Sequence, residues 1–155
     1  MDVELTEILE ALCQHSPFYE IADDPQLSDM VRDIEVRYAR SEEWVIAPSA
    51  LNNTLFFIRS GAVEVLSKEG KLIRRMNEGE LFGYFSLLRG GKSSQSMRTI
   101  EDSLLYCIPA RWFLKLYEEN DNFSDFFELT REVRLRTAMD AQSSDVSLMT
   151  CPVIS

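Results

Sequence analysis

Gly83 and its neighbours form the part of the chain best suited to hold a ligand. The stretch Glu78-Gly79-Glu80-Leu81-Phe82-Gly83-Tyr84-Phe85-Ser86-Leu87-Leu88-Arg89-Gly90-Gly91 reads as a strand, a tight turn, one short helical turn and a glycine-rich exit. Glycine lets a backbone approach a ligand closely, or take a dihedral that a side chain forbids. A helical turn starting after Gly83 opens with N–H groups that lack an internal partner, and such ends attract phosphate and other anions. A plain strand-to-helix turn looks the same, so an anion cradle is one of two readings of this stretch. Lys92, Ser93, Ser94 and Gln95 follow the glycines and add a cation and hydrogen-bonding side chains.

The remainder offers little for bond-making chemistry. There is no nucleophile elbow, P-loop or paired-histidine helix. His15 is the only histidine, and beside a helix end it reads as a cap or surface residue. A cupin-type metal centre needs several histidines with a carboxylate and is excluded. Cys13, Cys107 and Cys151 are far apart with no C-x-x-C pair, so they read as free, buried thiols of a reducing compartment. We expect no catalytic residue, no metal site and no enzyme activity.

The elements that must position the Gly83 stretch follow from periodicity. Leu5, Ile8, Leu9 and Leu12 recur at helical spacing, and His15-Ser16-Pro17-Phe18 ends that helix. Asp24-Pro25 opens a second helix with Leu27, Met30, Val31 and Ile34 on its apolar face. From Ile34 the pattern becomes alternating. Predicted strands are Ile34–Tyr38, Trp44–Ile46, Leu55–Arg59, Ala62–Leu66, Leu72–Met76, Ser94–Ile100 and Ser103–Ile108. Asn52-Asn53 is a turn signal, and Ser60-Gly61 is a tight hairpin turn. Short strands at this spacing argue for a sandwich or barrel, and an eight-stranded jelly roll fits. Pro109 suits the first position of a helix that carries Trp112, Phe113, Leu116 and Tyr117. A last helix carries Phe123, Phe126, Phe127, Val133 and Met139, with Arg131, Arg134 and Arg136 toward its C-terminal end. Its aromatic run is too large to leave in water. It is expected to pack on the barrel or on a second copy of the chain as a homodimer. The expected division is N-terminal helices over 1–33, a β jelly roll over 34–108 with the ligand-binding segment at 81–96, C-terminal helices over 109–140, and a linker over 141–155.

Leu81-Phe82-Gly83-Tyr84-Phe85-Ser86-Leu87-Leu88 resembles the phosphate-binding cassette of cyclic-nucleotide-binding domains, which runs Phe-Gly-Glu, a small residue, two apolar residues and later Arg-Ser/Thr-Ala. Phe57 to Val65 is similar to that family's Ile-x-x-Gly-x-Val-x-Val hairpin, and Glu101 to Pro109 to its last strand. The resemblance spans about Ile8 to Met139. It implies a mainly β fold with flanking α-helices, a double-stranded β-helix (jelly roll) of cyclic-nucleotide-binding-domain type, and a regulatory or sensory role. The candidate ligand-binding residues it implies are Phe82, Gly83, Tyr84, Phe85, Ser86, Lys92, Ser93, Ser94 and Gln95. The family's ribose-bonding glutamate falls on Tyr84 and its phosphate-pairing arginine on Ser93. Adjacent Lys92 is a point charge and not a bidentate fork. The cassette is thus degenerate, and weak or absent binding of cyclic AMP is expected. The implied ligand is a cyclic nucleotide or another small phosphate-bearing molecule. The alternative is a ligand-free scaffold or dimerisation module. Glu42 and Ser49 stand where the family has glycines, so those turns are expected to differ in detail. Leu148-Met149-Thr150-Cys151-Pro152-Val153-Ile154-Ser155 looks like the opening of a CBS domain. The cassette variant resembles bacterial signal-transduction proteins that carry CBS and predicted nucleotidyltransferase domains. Downstream domains of the same protein are the implied partners.

Composition sets the outer limits. A chain of 155 residues, 45% of them hydrophobic, can bury one sizeable core. The formal charge of −10 disfavours nucleic acid as a partner, and disfavours an acidic membrane surface. No apolar run reaches spanning length, and the acidic start Met1-Asp2-Val3-Glu4 lacks a signal peptide's basic region. A cytoplasmic location is expected.

Overall fold

The alternating segments pair into two antiparallel four-stranded sheets that face each other, with helices packed on one of them. The computed structural model describes residues 3–130. Val133, Met139, the arginines at 131, 134 and 136, Cys151 and the CBS-like segment lie outside the described residues. The strands are β1 (Glu35–Ala39), β2 (Trp44–Ile46), β3 (Thr54–Ser60), β4 (Val63–Leu66), β5 (Leu72–Met76), β6 (Leu81–Phe82), β7 (Ser96–Thr99) and β8 (Ser103–Pro109). One sheet has the order β1-β8-β3-β6 and the other β2-β7-β4-β5. This is the jelly roll expected from the sequence, mainly β and antiparallel, with flanking helices.

The central strands β3 and β8 of the sheet β1-β8-β3-β6 are apolar on both faces. In β3, Leu55, Phe56, Phe57 and Ile58 are all buried. Strand geometry sends successive side chains to opposite faces, so a continuous apolar run marks a strand covered on both sides. Phe56, Ile58, Phe82, Leu105 and Cys107 point inward and meet Val63, Val65, Met76 and Met97 from the other sheet. Leu55, Phe57, Leu81, Tyr106 and Ile108 point outward into a second cluster built with the helices.

Those helices are α1 (Val3–Leu12), α2 (Gln26–Arg32) and α4 (Ala110–Glu119), followed by α5, the helical residues 121–130. Their apolar stripes deliver Ile8, Leu12, Leu27, Met30, Val31, Phe113 and Leu116 to the outer cluster. The Asp24 carboxylate accepts from Gln26 N–H at 2.9 Å at the start of α2, and Asp33 at its end accepts from Arg111 and from Trp112 Nε1–H, both at 2.8 Å. The aromatic run of α5 is accommodated within the chain. Phe123 and Phe127 are fully buried, against Phe18 and Phe113.

Glu42 and Ser49 have φ of 64° and 65°, so both turns use the left-handed backbone that glycine favours, with side chains in place of the glycines. His15, read from the sequence as a cap or surface residue, is half-buried and packs its ring inward. Its ring lies 5.5 Å from that of Phe57 and against Gly79, where a Cβ would sit 2.5 Å from the imidazole. Cys107 is buried in the inner cluster and Cys13 is half-buried, both as free thiols. Among the described residues no helix is long and apolar enough to cross a membrane.

Candidate functional site

β6 ends at Phe82, whose ring stacks on Phe56 at 4.9 Å, and the chain then turns through Gly83 into the short helix α3 (Tyr84–Leu87). Gly83 has φ 96° and ψ −10°. A Cβ there would meet Thr54 O at 2.7 Å and Asn52 Nδ2 at 2.9 Å, so position 83 is closed to side chains by both dihedral and space. Asn52 is the reason for the crowding. Its side-chain amide, buried beneath the turn, donates to Thr54 O at 2.8 Å, to Gly83 O at 3.1 Å and to Ser86 Oγ at 3.0 Å. Ser86 Oγ–H donates in turn to Gly83 O at 2.8 Å. The exit is held by backbone bonds: Gly91 N–H to Ser86 O at 2.6 Å and Asn52 N–H to Gly91 O at 2.8 Å. The sequence marked Asn52 only as a turn residue, and its side chain is the clamp that fixes the candidate segment to β3.

A cavity of about 240 Å³ opens between this segment and the sheet β2-β7-β4-β5. Phe82, Gly83, Tyr84, Phe85, Ser86, Lys92, Ser93, Ser94 and Gln95 all line it. The candidate residues named from the sequence are therefore brought together at one place. Their parts differ. Tyr84 is 2% exposed, and its ring packs on Phe85 at 4.9 Å and on Phe127 of α5 at 4.8 Å. Burial pushes its phenol pKa well above the usual range, an effect that nearby Arg74 only partly opposes. At pH 7 it is a neutral hydroxyl and cannot act as a carboxylate does. Ser93 Oγ–H donates to Gln95 O at 2.6 Å, a local turn. Lys92 is exposed and Phe85 half-buried.

Arg74, Arg89 and Met97 also line the cavity and were not named from the sequence. Arg74 lies opposite Val65 in the β4–β5 register, and Met76 opposite Val63. Val63, Val65 and Met76 all belong to the inner cluster, so Arg74 enters the barrel on the same face. Its neighbour Arg75, opposite Glu64, points outward and pairs with Glu101 at 3.6 Å. A larger groove of about 570 Å³ lies on the far side of the 92–95 segment, against the β4–β5 loop and Trp44. Among the described residues no group of His, Cys, Asp and Glu is placed to hold a metal.

The sequence profile of the cyclic nucleotide-binding domain matches residues 36–120 of this chain. Human potassium/sodium hyperpolarization-activated cyclic nucleotide-gated channel 2 is 25% identical over 119 residues, 77% of this chain and 13% of its own length. An uncharacterized NTE family protein of Mycobacterium tuberculosis is 22% identical over 102 residues, 66% of this chain and 18% of its own length. The chain thus spans less than a fifth of the length of these curated relatives. Among solved structures, the sensor domain of the transcriptional regulator DNR from Pseudomonas aeruginosa superposes with a TM-score of 0.73 at 15% identity, over 96% of this chain and 98% of that one. The catabolite activator protein of Thermus thermophilus gives a TM-score of 0.69 at 23% identity, over 85% of this chain and 63% of that one. At these identities the structural likeness is one of fold.

Proposed function

The chain belongs to the cyclic nucleotide-binding domain family, and we propose that it is a non-catalytic regulatory module whose cassette binds cyclic AMP weakly or not at all. The observation that carries this reading is Tyr84. It stands in the wall of the cavity, is buried and neutral, and packs its ring on Phe127 of α5. A neutral phenol there replaces the charge-assisted acceptor that the family places on the ribose. Ser93, bonded to its own turn, supplies no cation for the cyclic phosphate. A charge-assisted hydrogen bond is worth roughly 1.5–3 kcal/mol. Two such losses weaken binding by about a hundredfold to ten-thousandfold, at about 1.4 kcal/mol per tenfold.

The same ring supports a regulatory role, because it ties the cavity wall to α5. A ligand that moves α3 shifts Phe127, and with it the helix that leads toward the C-terminal part of the chain. The recipients of that movement are further domains of the same protein, for which the CBS-like segment 148–155 is the motive. A homodimer remains a mode of assembly to be measured by sedimentation. Calorimetric titration with cyclic AMP and cyclic GMP tests the reading. The expected dissociation constant for cyclic AMP is weaker than about 10 µM, and tighter binding would show the cassette to be competent after all.

A further inference from the structure

Arg74 is a half-buried cation that forms no ion pair among the described residues. It lines the cavity from β5, and burial lowers its pKa from the usual arginine value. Removing a charge from water is costly unless an opposite charge or good acceptors replace the water. Among the described residues the ion pairs are Arg37–Glu43, Arg75–Glu101, Arg98–Glu64 and Arg111–Asp33, and Arg74 is in none of them. Its hydrogen bond within the chain goes to Met76 Sδ at 3.4 Å, and a thioether is a weak acceptor. Glu80 lies near enough to favour its charge but forms no ion pair with it, and one of the Glu80 carboxylate oxygens accepts from Asn77 N–H at 2.7 Å.

The rest of the cavity completes the argument. Among the described residues no carboxylate lines it, although the chain as a whole carries a formal charge of −10. Arg89 and Lys92 stand on its solvent side, exposed. The side chains of Ser94 and Gln95 also line it and make no hydrogen bond among the described residues. At about 240 Å³ the space is smaller than the roughly 300–1,000 Å³ usual for small-molecule sites.

We propose that the cavity binds a compact phosphate monoester, anchored by the Arg74 guanidinium. This rests on the reading of the cavity as the ligand site, and it places the anchoring charge on β5 and not in the 83–95 segment. Arginine's planar fork matches two phosphate oxygens at once. A monoester carries nearly two negative charges near neutral pH, and a cyclic or other diester carries one. A wall with Arg74, Arg89 and Lys92 and no carboxylate favours the former.

The test is a nitrogen-15 NMR titration of the whole chain with methyl phosphate and dimethyl phosphate as probes. Methyl phosphate is expected to shift the Arg74 Nε–H resonance and the amides of residues 83–86 and 93–95, with a dissociation constant of about 1–10 mM. Dimethyl phosphate is expected to bind at least about tenfold more weakly, and Arg74→Met to weaken methyl phosphate by at least about tenfold, with Arg74→Lys between the two. Unchanged affinity in Arg74→Met, equal binding of the two esters, or shifts confined to Arg89 and Lys92 would overturn the proposal. The Arg74 Nε–H signal of the unmutated protein decides the matter even if Arg74→Met does not fold. Cyclic AMP in the same titration separates the two claims. Binding tighter than about 10 µM sinks the weak-cassette reading, while the two esters and the Arg74 variants still judge the anchor.

Discussion

Positions 42, 49 and 83 share a positive φ and differ in what surrounds it. Glu42 and Ser49, at 64° and 65°, sit close to the left-handed minimum near 57°, which an L-residue enters at a cost of roughly 1–2 kcal/mol. Gly83, at 96°, has Thr54 O and Asn52 Nδ2 where a Cβ would go. A methyl group there must displace a backbone carbonyl and the buried amide that holds α3 to β3. Leaving buried polar groups unpaired adds roughly 1–3 kcal/mol. Gly83→Ala is therefore expected to destabilise the protein by about 2–5 kcal/mol in urea unfolding, and to broaden the amide resonances of residues 84–88. A loss under about 0.5 kcal/mol would mean that the clamp yields without cost.

Among the elements, α5 is the one that joins core and site. Phe127 is fully buried and meets Phe113 edge-on at 5.0 Å and Tyr84 at 4.8 Å. Truncating a buried phenylalanine costs about 3–5 kcal/mol, and aromatic pairs add roughly 0.5–1.5 kcal/mol beyond their burial. Phe127→Ala is expected to cost about 3–5 kcal/mol. A double-mutant cycle with Tyr84→Ala should show coupling of about 0.5–1.5 kcal/mol. Additive effects would mean that α3 and α5 do not communicate through this contact. Most elements were legible in the sequence from their period. β3 is a continuous apolar run and was legible from the turns that bound it, Asn52-Asn53 and Ser60-Gly61, and the face each of its residues takes follows from alternation alone. The site was legible only in part. Gly83 and its flanks carry a recognisable pattern, whereas Arg74 and Arg75 are adjacent and chemically identical. Which of them enters the barrel depends on the β4–β5 register, with its irregularity between Val65 and Leu66, and nothing local in the sequence sets that. Asn52 escaped notice because a turn asparagine and a clamping asparagine look alike until the segment it holds, far along the chain, is folded onto it.

For the whole molecule, burial of ionisable groups sets a limit on stability at alkaline pH. The two clusters share the sheet β1-β8-β3-β6, and each holds acidic side chains away from water, among them Cys107 and Tyr84. Cys107, in the inner cluster opposite Glu35 of β1, has its thiol pKa pushed from 9.0 up to about 11, first by burial and then by the Glu35 carboxylate. Tyr84, in the outer cluster, is also shifted up by burial from 10.0. Both groups keep their proton in the folded state at a pH where the unfolded chain releases it. The unfolded state then binds fewer protons than the native state, so the slope of unfolding free energy against pH is negative. The stability these groups contribute is fully present below pH 9.0 and is lost between 9.0 and about 11 for Cys107, and from 10.0 upward for Tyr84. Urea unfolding from about pH 8 to 11 should therefore show a plateau followed by a decline. Cys107→Ala lowers the plateau through the lost packing but makes the first part of the decline shallower, and Tyr84→Phe flattens the later part. A decline that is equally steep in both variants would place its origin in general charge repulsion on a chain that already carries −10, and not in these two buried protons.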